Sequence, residues 1–170
     1  MIKDSMVKKL NQQMNLEFDS ASLYLQMSAW CSYKGFEGAA IFLKRHSQEE
    51  MQHMQRIFDY LCDIGQQPIV DSVKKPQNNF ESLIDLFEKT YNNEKIVSME
   101  INNLCDLALT EKDFPTFEFL QWYVSEQHEE EKLFKSILDK LNLVGSSGEG
   151  LFLVDKELKD INEKIEQHQV

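Results

Sequence analysis

Four carboxylates and a histidine occupy positions in this chain where a bundle of helices would place leucines. Glu17 shares a three- and four-residue register with Leu10, Met14, Ala21, Tyr24 and Ser28. Glu50 and His53 share theirs with Leu43, His46, Ile57 and Leu61. Glu94 falls in line with Leu83, Phe87, Ile101, Leu104 and Ala108, and Glu130 with Leu120, Tyr123, Gln127, Phe134 and Leu141. Such spacing marks one face of a helix. A buried ionised carboxylate is costly unless positive charge lies beside it. Several of them converging from different helices would repel one another, and the economical resolution is a metal cation between them.

The remaining sequence suits a single all-α domain. A chain of 170 residues can bury a substantial core, and 42% hydrophobic content with only three prolines and six glycines favours helices. No apolar run approaches the ~20 residues that span a bilayer, so no membrane partner is expected. The opening residues are amphipathic and lack the apolar core of a signal peptide. Cys31, Cys62 and Cys105 are odd in number and widely spaced, which predicts reduced, mostly buried thiols and a cytoplasmic protein. The net charge of −11, with no basic cluster, argues against nucleic acid. It also raises cation concentration around any cleft it lines.

Helical periodicity predicts a four-helix bundle over about residues 4–142, a hinge at about 143–150 and a short terminal helix at about 151–166. Within the bundle, the helices are expected at about 4–33, 36–64, 81–109 and 113–142. Gly35, Gly65 and Pro115 supply the stop and start signals. Residues 66–80 hold Pro68 and Pro76, show no steady period and are too long for a tight turn. They are expected to cross the length of the bundle, giving an up-down-down-up arrangement. A faint internal repeat runs through it. Each half offers one glutamate on its first helix (Glu17, Glu94) and a polar pair three residues apart on its second (Glu50/His53, Gln127/Glu130). Side chains three apart on a helix can reach one ion together.

This layout matches the known di-iron carboxylate bundles. The stretches LNQQMNLE ending at Glu17, EEMQH from Glu49 to His53 and SEQHEE from Ser125 to Glu130 resemble the bacterial non-haem ferritins over essentially the whole chain. The resemblance implies a ferritin-like fold, an iron storage protein with ferroxidase activity, and iron as substrate and di-iron centre with no haem. It assigns Glu17, Glu50 and His53 to one iron and Glu50, Glu94 and Glu130 to a second, with Glu50 bridging. Gln127 is a neighbouring polar group and Tyr24 a phenol beside the centre. A third iron site falls on Glu49, Glu126 and Glu129, with Glu130 shared. The partners implied are iron, dioxygen or peroxide, and identical subunits in a 24-subunit hollow shell, the terminal helix gathering at its four-fold axes.

Carboxylate oxygen suits both Fe(II) and Fe(III), and one imidazole adds a borderline ligand. Glutamate has the reach to change its mode of coordination while two ferrous ions pass two electrons to dioxygen. The second half departs from the symmetric pattern by carrying Gln127-x-x-Glu130 where a Glu-x-x-His would stand. That favours ferritin over the haem-containing bacterioferritins, whose pattern has histidine at the position of Glu130. Met51 stands where bacterioferritins have their haem-binding methionine, and is read as packing. His46, His128 and His168 receive no role beyond surface or core. The alternatives are a bacterioferritin-like shell, a di-iron oxidase or peroxidase acting on another substrate, and a helical binding protein with internal salt bridges.

Overall fold

The computed structural model of the protein describes residues 2–168, with side chains described through residue 161. The described residues form five helices, α1 Asp4–Lys34, α2 Glu37–Asp63, α3 Leu83–Glu111, α4 Phe114–Val144 and α5 Gly148–His168, with an irregular crossover between α2 and α3. The first four form the bundle. At about 1.5 Å per residue, each is roughly 40 Å long or slightly longer. None of the described helices is long and apolar enough to cross a membrane.

Local chemistry sets the helix ends. α1 stops where Gly35 adopts a left-handed φ of 86°, and its N–H bonds back to Ser32. α3 begins at Leu83, two residues later than its periodicity suggests, because Ser82 caps it by accepting from the Asp85 N–H at 3.1 Å. Asp113 caps α4 in the same way, with Pro115 in the first turn. At the other end the expected hinge is shorter than the glycines imply. α5 starts at Gly148 because Ser147 Oγ accepts from the Gly150 N–H at 3.3 Å.

Pairings along the helices fix the topology. Ser5 hydrogen-bonds Glu111 and Lys9 pairs with Glu100, so α1 runs antiparallel to α3. His46 lies against Glu130, and the Tyr123 hydroxyl donates to the His53 carbonyl at 2.7 Å, so α2 runs antiparallel to α4. The result is the up-down-down-up bundle. Ser28 and Ser47 donate across the α1–α2 seam to the carbonyls of Ala40 and Ala21, both at 2.7 Å, which keeps that pair close.

The crossover is laced along α1 by side chains one helical turn apart. Asn11 Oδ1 accepts from the Ile69 N–H, Asn15 Oδ1 from Asp71 and Asp19 Oδ1 from Lys74, at 2.6, 2.8 and 2.9 Å. Asn15 Nδ2 also donates to the Ile69 carbonyl at 2.8 Å. An irregular segment therefore has four of its backbone groups satisfied from α1 without forming a strand.

α5 docks on the opposite end of the bundle, where α2 begins without a capping side chain of its own. Asp155 of α5 supplies the cap from outside, accepting from the N–H groups of Gly38 and Ala39 at 3.1 and 2.8 Å. The approach requires Gly38, since a Cβ there would stand 1.8 Å from the Asp155 carbonyl oxygen. Val154 and Leu158 complete the contact inside a core of Trp30, Phe42, Phe87 and Phe134. A second core, around Leu10, Ile57, Leu104 and Tyr123, fills the other half. Between these two apolar clusters lies a polar layer.

Candidate metal centre

Every residue of the four polar-bearing registers is buried, from Leu10 through Ser28 on α1 to Leu120 through Leu141 on α4. Glu17, Glu50, His53 and Glu94 are each under 5% exposed, at 0, 2, 4 and 1%. Such burial of four groups capable of charge requires compensation, and the protein itself supplies little of it.

Glu17, Glu50 and His53 form one cluster, with a ligand atom from each lying within 4.8 Å of the others. Gln13 donates to Glu17 Oε1 at 2.8 Å, one turn back on α1. His53 Nδ1 stands 3.3 Å from Glu50 Oε2, badly aligned for a hydrogen bond. Glu17 Oε2 and His53 Nδ1 are left buried with no partner. An orphaned carboxylate oxygen and an orphaned imidazole nitrogen facing one space form a donor set suited to a borderline divalent cation such as Fe(II).

Glu94 is held differently. Tyr24 donates to one carboxylate oxygen and Gln127 Nε2 to the other, the latter at 3.0 Å. Asn93 steadies Tyr24 by donating to its hydroxyl at 2.9 Å and bonds Ser20 at the same distance. Glu94 therefore lies outside the three-residue clusters found among the described residues.

A second cluster joins α2 to α4: His46, Glu49 and Glu130, again within 4.8 Å of one another. His46 Nε2 stands 3.4 Å from Glu130 Oε2 and 3.6 Å from Glu49 Oε2. Arg45 holds the other oxygen of Glu49 at 2.5 Å. Of the remaining third-site residues suggested by resemblance, Glu126 is half-buried and Glu129 exposed. Neither joins this group.

Proton affinities follow the burial. Desolvation pushes Glu17 and Glu50 well above the usual carboxylate range, reinforced at Glu17 by the charge of Glu50 and at Glu50 by the charges of Glu94 and Glu130. Glu94 is pushed up to about 7 by burial and the charge of Glu130, although Tyr24 and Gln127 work against it. Burial likewise raises the Tyr24 phenol, with Glu94 adding to the effect. At Glu130 burial is outweighed by His46, with His53 and Arg45, and the carboxyl sits below its ordinary value. His46 is raised, since Glu130 and Glu49 overcome the lowering effect of its own burial.

A polar layer of this composition in the middle of a bundle matches the di-iron carboxylate bundles, and sequence comparison narrows the family. Residues 7–144 match the family model for the ferritin-like domain. The chain belongs to the ferritin family. It is 60% identical over 162 residues to a bacterial non-heme ferritin of Escherichia coli O6:H1, covering 95% of this chain and 98% of that protein. A bacterial non-heme ferritin of Campylobacter jejuni is 47% identical over 161 residues, covering 95% and 96%. Among solved structures, an open pore ferritin from Archaeoglobus fulgidus superposes with a TM-score of 0.92 at 38% identity, covering 94% of this chain and 98% of that one.

Two sequence readings change on this ferritin fold. The thiols are not mostly buried: Cys31 is buried, Cys105 half-buried and Cys62 exposed, because Cys62 is one step past Leu61, outside the apolar stripe of α2. His46, given no role from the sequence, lies beside two of the carboxylates. The available signal was its place in the Glu50 register, one turn before Glu49 and Glu50. Met51 packs half-buried against the Leu10–Ile57 core, as a packing residue should.

Proposed function

We propose that this protein oxidises Fe(II) with dioxygen at the buried carboxylate layer and stores the ferric product as an oxyhydroxide mineral inside a hollow shell of 24 subunits in the cytoplasm. The observation that carries the reading is the cluster of Glu17, Glu50 and His53, buried at mid-bundle with a carboxylate oxygen and a ring nitrogen unpartnered. Membership of the ferritin family and the similarity to bacterial non-heme ferritins support it.

In this reading Glu17 and His53 hold one ferrous ion, and Glu50 bridges to a second that Glu94 and Glu130 reach. Gln127 and Tyr24 tether Glu94 until that ion arrives. Glu49, Glu126 and Glu129 serve a third ion with Glu130. Iron is the substrate, so the ligands must release what they bind. Mobile glutamates with one imidazole suit that better than a closed set of thiolates. Two Fe(II) give up one electron each, and dioxygen takes both with two protons to leave as hydrogen peroxide. The Fe(III) formed then hydrolyses, loses protons to solvent and moves to the mineral. Carboxyl groups that burial keeps protonated exchange protons for iron on loading, so iron affinity rises with pH.

The test is aerobic addition of Fe(II) to metal-free protein, comparing wild type with Glu50→Ala and His53→Ala and following ferric absorbance and particle size together. Wild type should oxidise about two irons per chain rapidly. Both variants should fall by roughly a hundredfold or more while particle size is kept, as expected when a catalytic metal loses a ligand. Oxidation no faster than in buffer, or unchanged by both substitutions, would overturn the proposal.

A further inference from the structure

We infer that His46 is a metal ligand, the nitrogen donor of the third-ion site, which it forms with Glu49 and Glu130 between α2 and α4. The inference deepens the proposed function and rests on it only for the identity of the natural ion. Three features of the site carry it.

The first is spacing. An imidazolium that simply paired with a carboxylate would sit about 2.7–2.9 Å from it. His46 Nε2 instead stands 3.4 Å from Glu130 Oε2 and 3.6 Å from Glu49 Oε2. Ligands about 2.1 Å from a common ion lie roughly 3.0–3.5 Å apart at ordinary bond angles. These groups are spaced to surround something more than to touch one another.

The second is the direction of the ring. His46 Nδ1 lies 3.1 Å from the Phe42 carbonyl one turn back, so that nitrogen carries the proton and donates. Nε2 is then the atom directed at the two acids. Donation from the far nitrogen to a backbone carbonyl is the usual outer support of a metal-binding histidine. The ring is held against Phe42 and Phe134, with centroids 4.3 and 5.1 Å away, so it cannot swing aside.

The third is what remains unpartnered. Glu130 is 6% exposed, and its Oε2 receives no hydrogen bond of normal geometry. Glu49 has one oxygen tied to Arg45, leaving Oε2 for the site. The donor set is therefore one imidazole and two carboxylates, which suits Fe(II), Co(II) or Zn(II) over the harder Mg(II) and Ca(II). Glu130 would join this site to the second ion, which it shares with Glu50 and Glu94 in the proposed function. His46 would also supply a nitrogen ligand that Glu126 and Glu129 cannot.

The probe is Co(II), added without oxygen to the metal-free, assembled protein and followed by calorimetry and by visible absorption. His46→Ala should lose one cobalt per chain and the associated absorption. His53→Ala should lose a different one and leave that of His46 in place. Anomalous scattering from cobalt-soaked crystals should peak about 2.1 Å from His46 Nε2. Should His46→Ala fail to assemble, His46→Gln and Glu49→Gln carry the same expectation. Full cobalt uptake by the assembled His46 and Glu49 variants, with no peak beside Nε2, would overturn the inference and leave an ion pair. If uptake also survives His53→Ala and Glu50→Ala, the proposed oxidation centre itself fails, and the two failures are told apart.

Discussion

Glu94 shows what burying a carboxyl without a fixed counterion does to a protein's response to pH. Its folded-state value of about 7 lies above the ordinary 4.5, with burial as the main cause. Below about pH 4.5 the group is protonated in folded and unfolded chains alike. Between 4.5 and 7 the unfolded chain gives up the proton while the folded one retains it, so this group's contribution to stability falls as pH rises. Each unit corresponds to about 1.4 kcal/mol, which makes the loss on the order of 1–3 kcal/mol by pH 8. Metal-free Glu94→Gln should therefore melt several degrees above wild type at pH 8 and close to it at pH 5. Gln127 can turn its amide to meet the new side chain, and Tyr24 can still donate. Thermal melts of chelator-treated protein at both pH values decide it. A gap equal at both would show that the charge of Glu94 is not what destabilises the empty bundle.

At the scale of elements, the terminal helix is tied to α4 by the Lys140–Glu157 ion pair and to α2 by a polar contact of unusual reach. Asp155 completes the first turn of α2 from a segment more than a hundred residues later in the chain. A helix cap of this kind contributes about 1 kcal/mol, so Asp155→Ala should lower the melting temperature by a few degrees and open the 145–150 segment to proteolysis. Asp155→Asn, which keeps an acceptor, should recover much of that. Gly38→Ala should do more, since the added methyl meets backbone and α5 must move; overpacking costs about 1–3 kcal/mol. Limited proteolysis of the three variants ranks them, and unchanged cleavage in Gly38→Ala would show that α5 is held some other way.

The same elements show what the sequence made readable. Periodicity located the helices to within a few residues and the buried polar registers in full, because both depend on which face of a helix meets the core. The arrangement α1 to α4 followed from the long crossover. The lacing of that crossover to Asn11, Asn15 and Asp19 was present as three short polar residues one turn apart, but such a stripe is ordinarily solvated and does not announce its partner. The cap by Asp155 could not be read at all, since it is a contact between distant elements with no local pattern. His46 was missed because a lone histidine in an apolar stripe is usually core. The spacing of its two acids, the direction of its ring and the unpartnered Glu130 oxygen set it apart, and all three exist only in the fold.

For the whole molecule, a chain of net charge −11 that leaves Tyr33, Phe114, Leu143, Phe152 and Leu153 exposed combines two opposing tendencies. Mutual repulsion keeps acidic chains apart, while exposed apolar side chains favour contact. Under the proposed shell the conflict is resolved by geometry: apolar positions meet at subunit contacts and surplus acid faces the cavity, where it gathers iron. Phe152 and Leu153 lie side by side on the outward face of α5, away from Val154 and Leu158, which are committed to the bundle core. Leu153→Asp should therefore spare the fold and the carboxylate layer but weaken assembly. The particles seen by light scattering should become smaller. The first two irons per chain should still oxidise at near wild-type rate, while the ferric product should precipitate at loadings that wild type keeps in solution. Catalysis and storage would then be separated, the first residing in one bundle and the second in the assembly. Full-sized particles that hold iron as wild type does would place the contacts that close the shell elsewhere than the outer face of α5.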